Sequence, residues 1–132
     1  NAATVTALRE ADRVVAVGAA DPVGMSRFLR AHVELVEATG TPDTDVVMNK
    51  VRASAIGLSP GTQVTQTLAR FAGIDSPFLI PHDQNALDGA LLSGRTLLDV
   101  SPRSAARRAI ADLVSLRLAP AAMPTRARRR RT

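Results

Sequence analysis

Two apolar runs in this chain end in side chains that could hold a purine base. The first, DVVMNKVR from Asp45 to Arg52, closes three apolar residues with the amide of Asn49 and the ammonium of Lys50. The second, SPFLIPHD from Ser76 to Asp83, closes on Pro81, His82 and Asp83. An asparagine side chain carries an NH2 donor and a carbonyl acceptor, the complement of the N7 acceptor and N6 amino donor of adenine. Guanine needs an acceptor for its ring N–H and amino group, and an NKxD motif supplies an aspartate three residues after the asparagine. That position here is Arg52, which only donates. The chemistry favours adenine over guanine.

Each of these residues also has a plainer explanation. Asn49 would serve equally as a strand-terminal amide capping a loop carbonyl, and Lys50 as a solvated charge. Pro81 stops a strand and Asp83 caps the following helix. His82 stands alone in a loop, without the cysteine or second histidine that a metal site requires, and His32 falls on the inner face of a helix. No G-x-S-x-G elbow occurs, so nucleophilic catalysis has no support.

The elements that would position these residues follow from hydrophobic pattern and punctuation. RVVAVGA, Arg13 to Ala19, is a continuous apolar run of the kind found in parallel strands covered on both faces, after a short polar lead. The helix after it opens with Asp21 as N-cap and Pro22 at the first helical position, and ends at Gly40. Its inner face comprises Met25, Phe28, Leu29, His32, Leu35 and Val36. VVMNK is the second strand, and VRASAIGLSPG a loop. A second helix places Val64, Leu68 and Phe71 inward and stops at Gly73. The third strand, SPFLIP, lies between Pro77 and Pro81. A short helix from Asp83 to Gly94 turns Leu87, Ala90 and Leu91 to one side. The last helix is capped by Ser101, with Pro102 in its first turn and Ala106, Ala109, Ile110 and Leu113 inward.

Strands alternating with helices imply an α/β fold, with three strands and four helices: a parallel sheet with helices on both faces, joined by right-handed crossovers. Sheets of this class usually have more strands, so an unpaired edge is expected. With Asn1 in place of an initiator methionine, this points to the second half of a larger α/β domain.

Composition narrows the class. The 132 residues are one domain's worth, 45% apolar and 22% charged, with 2% aromatic residues, so the core must be aliphatic. There is no cysteine, which excludes disulfides and thiolate metal sites. No run is long enough to span a bilayer, and the start has no signal-peptide pattern, so a cytoplasmic protein is expected, peripheral to a membrane at most. Of the 17 basic residues five are arginines between Arg126 and Arg131, so the 12 acidic residues balance the body and the net charge of +5 sits in the tail. Residues 1–118 would form the α/β domain and 119–132 a disordered basic tail. Arg126 to Arg131 suit contact with an anionic partner, DNA or a membrane surface, with steep salt dependence. The tail lacks the interleaved apolar residues of an amphipathic anchor.

In the order ADRVVAV, VVMNKVR, FLIPHD and ALDGALLSGRTLLDVSPRSAARRAIADL, from about Ala7 to Leu118, the chain resembles the MinD/ParA superfamily of deviant-Walker ATPases. Its nearest branch is that of the CpaE-like pilus-assembly and septum-site proteins. The resemblance implies the C-terminal half of a P-loop NTPase fold and an ATP-dependent, homodimerising switch that positions pilus, septum or chromosome machinery. It also implies ATP as cofactor, with Asn49 approaching the adenine and Pro81, His82 and Asp83 walling it, and a protein partner from pilus or division machinery. The chain departs from the family in having no Gly-rich phosphate-binding loop with its lysine, and no switch aspartate for magnesium. The family keeps these in its N-terminal half, so Mg2+ is expected only with that half, and the chain alone should not hydrolyse ATP. The contrasting expectation is a nucleotide-free scaffold of the same fold that binds a protein partner, membrane or DNA.

Overall fold

The computed structural model of the protein describes residues 1–40, 44–52 and 59–119. Three strands, β1 (Val14–Ala19), β2 (Thr44–Val51) and β3 (Phe78–Pro81), form a parallel sheet in the order β1-β2-β3. The central strand is apolar on both faces because both are covered. Val46 and Met48 pack with Phe28 of α2 (Pro22–Thr39) and with Val64 and Leu68 of α3 (Pro60–Ala72). Val47 points the other way, to Ile80 of β3 and to Ala106 and Leu113 of α6 (Ala105–Leu113). The alternation of side chains along a strand thus divides one apolar run between two core layers. The expected α/β architecture, with helices on both faces of a parallel sheet, is the observed one.

Local signals set the helix ends. Asp21 accepts from the Gly24 N–H at 2.8 Å, Pro22 follows it, and Gly40 ends α2 at φ 79°. Ser59 caps α3, which Gly73 closes in the left-handed region. At the lower edge of the sheet the buried carboxylate of Asp45 meets Arg13 at 2.8 Å and Arg117 at 3.5 Å. Arg117 also lies over the Phe78 ring, so it fixes the π-helical turn Val114–Leu118 that continues α6 against the sheet.

Six α-helices are present among the described residues, where the sequence pattern suggested four. The polar lead before β1 is α1 (Ala2–Glu10), capped by Asn1 and tied to the end of α2 by Arg9, which donates to the Ala38 carbonyl. A short α5 (Leu97–Val100) follows α4 (Gln84–Ser93). The last helix starts later than expected. Ser104 caps it, while Ser101 and Pro102 belong to the preceding turn. Several side chains assigned inward by spacing are exposed: Phe71 at 65%, Leu91 at 80%, and Leu87 and Ile110 to lesser degrees. The expected loop at Val51–Gly61 falls partly, and the basic tail almost wholly, outside the described residues. No helix among those described is long and apolar enough to cross a membrane.

Candidate functional site at the carboxyl edge of the sheet

The carboxyl ends of the three strands share one edge, and the N-termini of α2, α3, α4 and α6 gather around it. Ala19 at the end of β1 is in register with Asn49, and the next residue, Ala20, donates from its main chain to the Asn49 carbonyl at 2.9 Å. Across β2 the register shifts. Met48 faces Leu79 but Val51 faces Pro81, so β2 has one more residue than β3 in this interval. The extra residue is accommodated as a bulge at Asn49 and Lys50, with Lys50 at φ 59°, a conformation that costs a side-chain-bearing residue. The Asn49 side-chain oxygen accepts from the Lys50 N–H at 2.8 Å and so supports the bulge. Asn49 therefore has a local structural task, directed at a main-chain N–H rather than at a loop carbonyl. Its oxygen keeps a second lone pair for a ligand, and the bulge re-aims the strand end at the edge where ligands bind in parallel sheets.

Pro81, the last residue of β3, pairs with Val51, and the His82 N–H donates to the Val51 carbonyl at 2.9 Å. Asn49, Pro81 and His82 thus lie at adjacent strand ends at one rim. His82 is half-buried, and its Nδ1 is a buried ring atom with no hydrogen-bond partner among the described residues. Asp83 occupies the N-cap position of α4 but makes no capping bond there. Its Oδ2 accepts instead from the Ser104 hydroxyl at 2.6 Å and the Ala105 N–H at 3.1 Å, both at the start of α6. No sequence signal marks a contact between residues so far apart in the chain.

The Ser104 hydroxyl chiefly holds the Asp83 carboxyl below its ordinary value of 3.8; desolvation, the next effect in size, opposes it, and the main-chain N–H groups of Ala105, Ala106 and Ala86 add to the lowering. A carboxyl whose pKa is lower folded than unfolded contributes stability that is complete above the unfolded value and lost as pH falls through the folded one. Asp83→Asn keeps an acceptor oxygen but cannot ionise. The wild-type chain is therefore expected to be the more stable of the two at neutral pH, with the difference closing below pH 3.8. Urea midpoints of both proteins measured across that range check the sign, and a gap that widens on acidification would contradict it.

A cleft of about 750 Å³ opens at the same edge between α2 and α3, lined among others by Asp21, Met25, Arg52, Gln63 and Val64. Asn49, Pro81, His82 and Asp83 do not line it. Arg52, at the position where a guanine-reading aspartate would stand, faces this cleft. Among the described residues no cluster of three or more His, Cys, Asp or Glu side chains is arranged to hold a metal ion.

No protein-family model matches the chain, and no curated protein matches it significantly. Among solved structures, the crystal structure of a ParA family ATPase from Chlorobium tepidum TLS is similar with a TM-score of 0.67 and 21% sequence identity, over 87% of this chain. The chain has a ParA-like fold. It spans 45% of the length of that ATPase. In the ParA-like fold as this chain forms it, the three strand ends, the bulge at Asn49 and the turn at Pro81 compose one rim.

Proposed function

We propose that the chain supplies the adenine side of the nucleotide site in a MinD/ParA-like ATPase, with Asn49 and the loop Pro81 to Asp83 at the base. The observation that supports this reading is that Asn49 and Pro81 lie at the ends of adjacent strands of a ParA-like sheet, at the edge where parallel sheets bind ligands. The residues fit a purine base: Asn49 offers an amide donor and an acceptor oxygen that keeps one lone pair beside the Lys50 N–H. They do not fit the triphosphate or magnesium, because the sequence has no Gly-rich loop to cradle phosphates. Those contacts belong to polypeptide outside the chain, and no hydrolytic step is assigned to these residues.

The open edge of β1 supports the same reading. Ala16 packs with α2 and α3 and Val15 with α6, so alternation places Val17 on the α6 side. There Val17 is 62% exposed while its register partner Val47 is 1% exposed. An apolar edge strand with no lysine, proline or bulge of its own is suited to pairing with a further parallel strand and a covering helix. In the completed protein the ATPase acts as a cytoplasmic homodimeric switch for pilus, septum or chromosome machinery, in the manner of the CpaE-like branch. Arg126 to Arg131 then contact an anionic surface.

The test is nucleotide binding by the full-length gene product, titrated with ATP and GTP. Wild type should prefer ATP, and Asn49→Ala should weaken ATP about tenfold or more, the equivalent of one bidentate base contact. Unchanged ATP affinity in that variant would remove Asn49 from the site.

A further inference from the structure

We infer that Asp83 is a positioning residue, whose carboxylate ties the loop carrying Pro81 and His82 to the N-terminus of α6 and thereby holds that loop at the rim. The inference rests on the proposed nucleotide reading and changes the part assigned to Asp83 within it, from a wall of the base to the anchor of that wall.

Several observations combine. Asp83 stands where a helix N-cap should, yet the hydrogen bonds of its side chain cross to α6. The Asp83 oxygen that crosses accepts two hydrogen bonds, from the Ser104 hydroxyl and the Ala105 N–H, and Ser104 is only 5% exposed. The same Ser104 hydroxyl accepts from the Arg107 N–H, so the helix start and the loop are closed through one side chain. On its other side the loop is pinned by the His82 N–H to the Val51 carbonyl. The segment Pro81 to Asp83 is thus suspended between β2 and α6, and α6 is fixed at its far end by Arg117 on Asp45. The Asp83 Oδ2 is thereby taken up by α6 and the carboxylate is held toward that helix, whereas the Asn49 oxygen keeps a lone pair for a base.

Both bonds converge on a single oxygen, so asparagine can reproduce them and leucine cannot. The discriminating measurement is the ratio of GTP to ATP dissociation constants in the full-length gene product, because a general loss of folding weakens both nucleotides alike. Amide exchange of the segment 78–84 is followed in parallel. Asp83→Leu is expected to reduce the preference for ATP about tenfold and to speed exchange in that segment. Asp83→Asn should rescue both, and Ser104→Ala, which removes one of the two donors, should fall between and serves if the leucine variant does not fold. An Asp83→Leu or Ser104→Ala protein with the wild-type ratio and unchanged exchange would overturn the positioning role while leaving the nucleotide reading intact. Loss of the preference in Asp83→Asn as severe as in Asp83→Leu would overturn it too, pointing to direct contact by the charge. Wild type that does not distinguish ATP from GTP would sink the nucleotide reading first and the positioning role with it.

Discussion

Leu68→Ala is expected to destabilise the chain by about 2–5 kcal/mol, a large fraction of the roughly 5–15 kcal/mol that holds a typical domain together. Leu68 is fully buried on the inner face of α3, in the cluster with Phe28, Val46, Met48 and Val64. Removing its branched end leaves a void between α3 and the central strand. β2 is constrained by pairing on both sides and cannot sink to fill that void, which favours the upper part of the range. Phe71, on the next turn of α3, is the control. It is 65% exposed at the α2–α3 cleft, with the Arg70 guanidinium 5.3 Å from its ring centroid, so Phe71→Ala should cost about 1 kcal/mol or less. Urea unfolding of the two variants separates them. Equal losses would mean that Phe71 is a core residue in solution and that the α2–α3 cleft closes over it.

That contrast shows what was legible in the sequence. The strands, α2 and most of α3 could be read because their signals are local: the apolar runs at Val14 and Val46, Asp21 and Pro22 at the start of α2, and glycines at 40 and 73. Helical spacing also selected Phe71 and Leu91 as members of an apolar face, but spacing does not say what stands opposite. For Leu91, on the uncovered side of α4, nothing among the described residues does. The start of α6 is not legible locally for a related reason. Ser101-Pro102 has the local form of a helix start, yet the cap is Ser104, which gains a second partner from Asp83 of a distant turn. Within the candidate site, the placement of Asn49 and Pro81 on adjacent strand ends follows from the strand order. The bulge did not, since neither Asn49 nor Lys50 announces a left-handed conformation in the way a glycine would. α1 is not marked by an apolar face, and the bond by which Arg9 ties it to α2 is again a contact made across the chain.

Gly24→Ala tests whether the rim depends on the close approach of α2 to β1. In an unconstrained helix the substitution would stabilise by about 0.5–1 kcal/mol through propensity alone, and Gly89→Ala in α4, whose added Cβ meets open space, should do so. At Gly24 the added Cβ would lie 2.5 Å from the Ala19 carbonyl oxygen and 2.7 Å from the Ala19 Cβ. The carbonyl is main chain in a paired strand and cannot swing away, so α2 must lift. Lifting strains the Asp21 cap, which bonds the Gly24 N–H itself, and pulls on Ala20, whose N–H holds the Asn49 carbonyl. Overpacking of this kind costs about 1–3 kcal/mol, enough to reverse the propensity gain, so the two glycine variants should shift the urea midpoint in opposite directions. If both raised it, α2 would have room to move and the Ala20–Asn49 link would not set the rim. If Gly24→Ala lowers stability and also weakens ATP more than GTP in the full-length protein, the position of α2 is transmitted to Asn49 through that single main-chain bond.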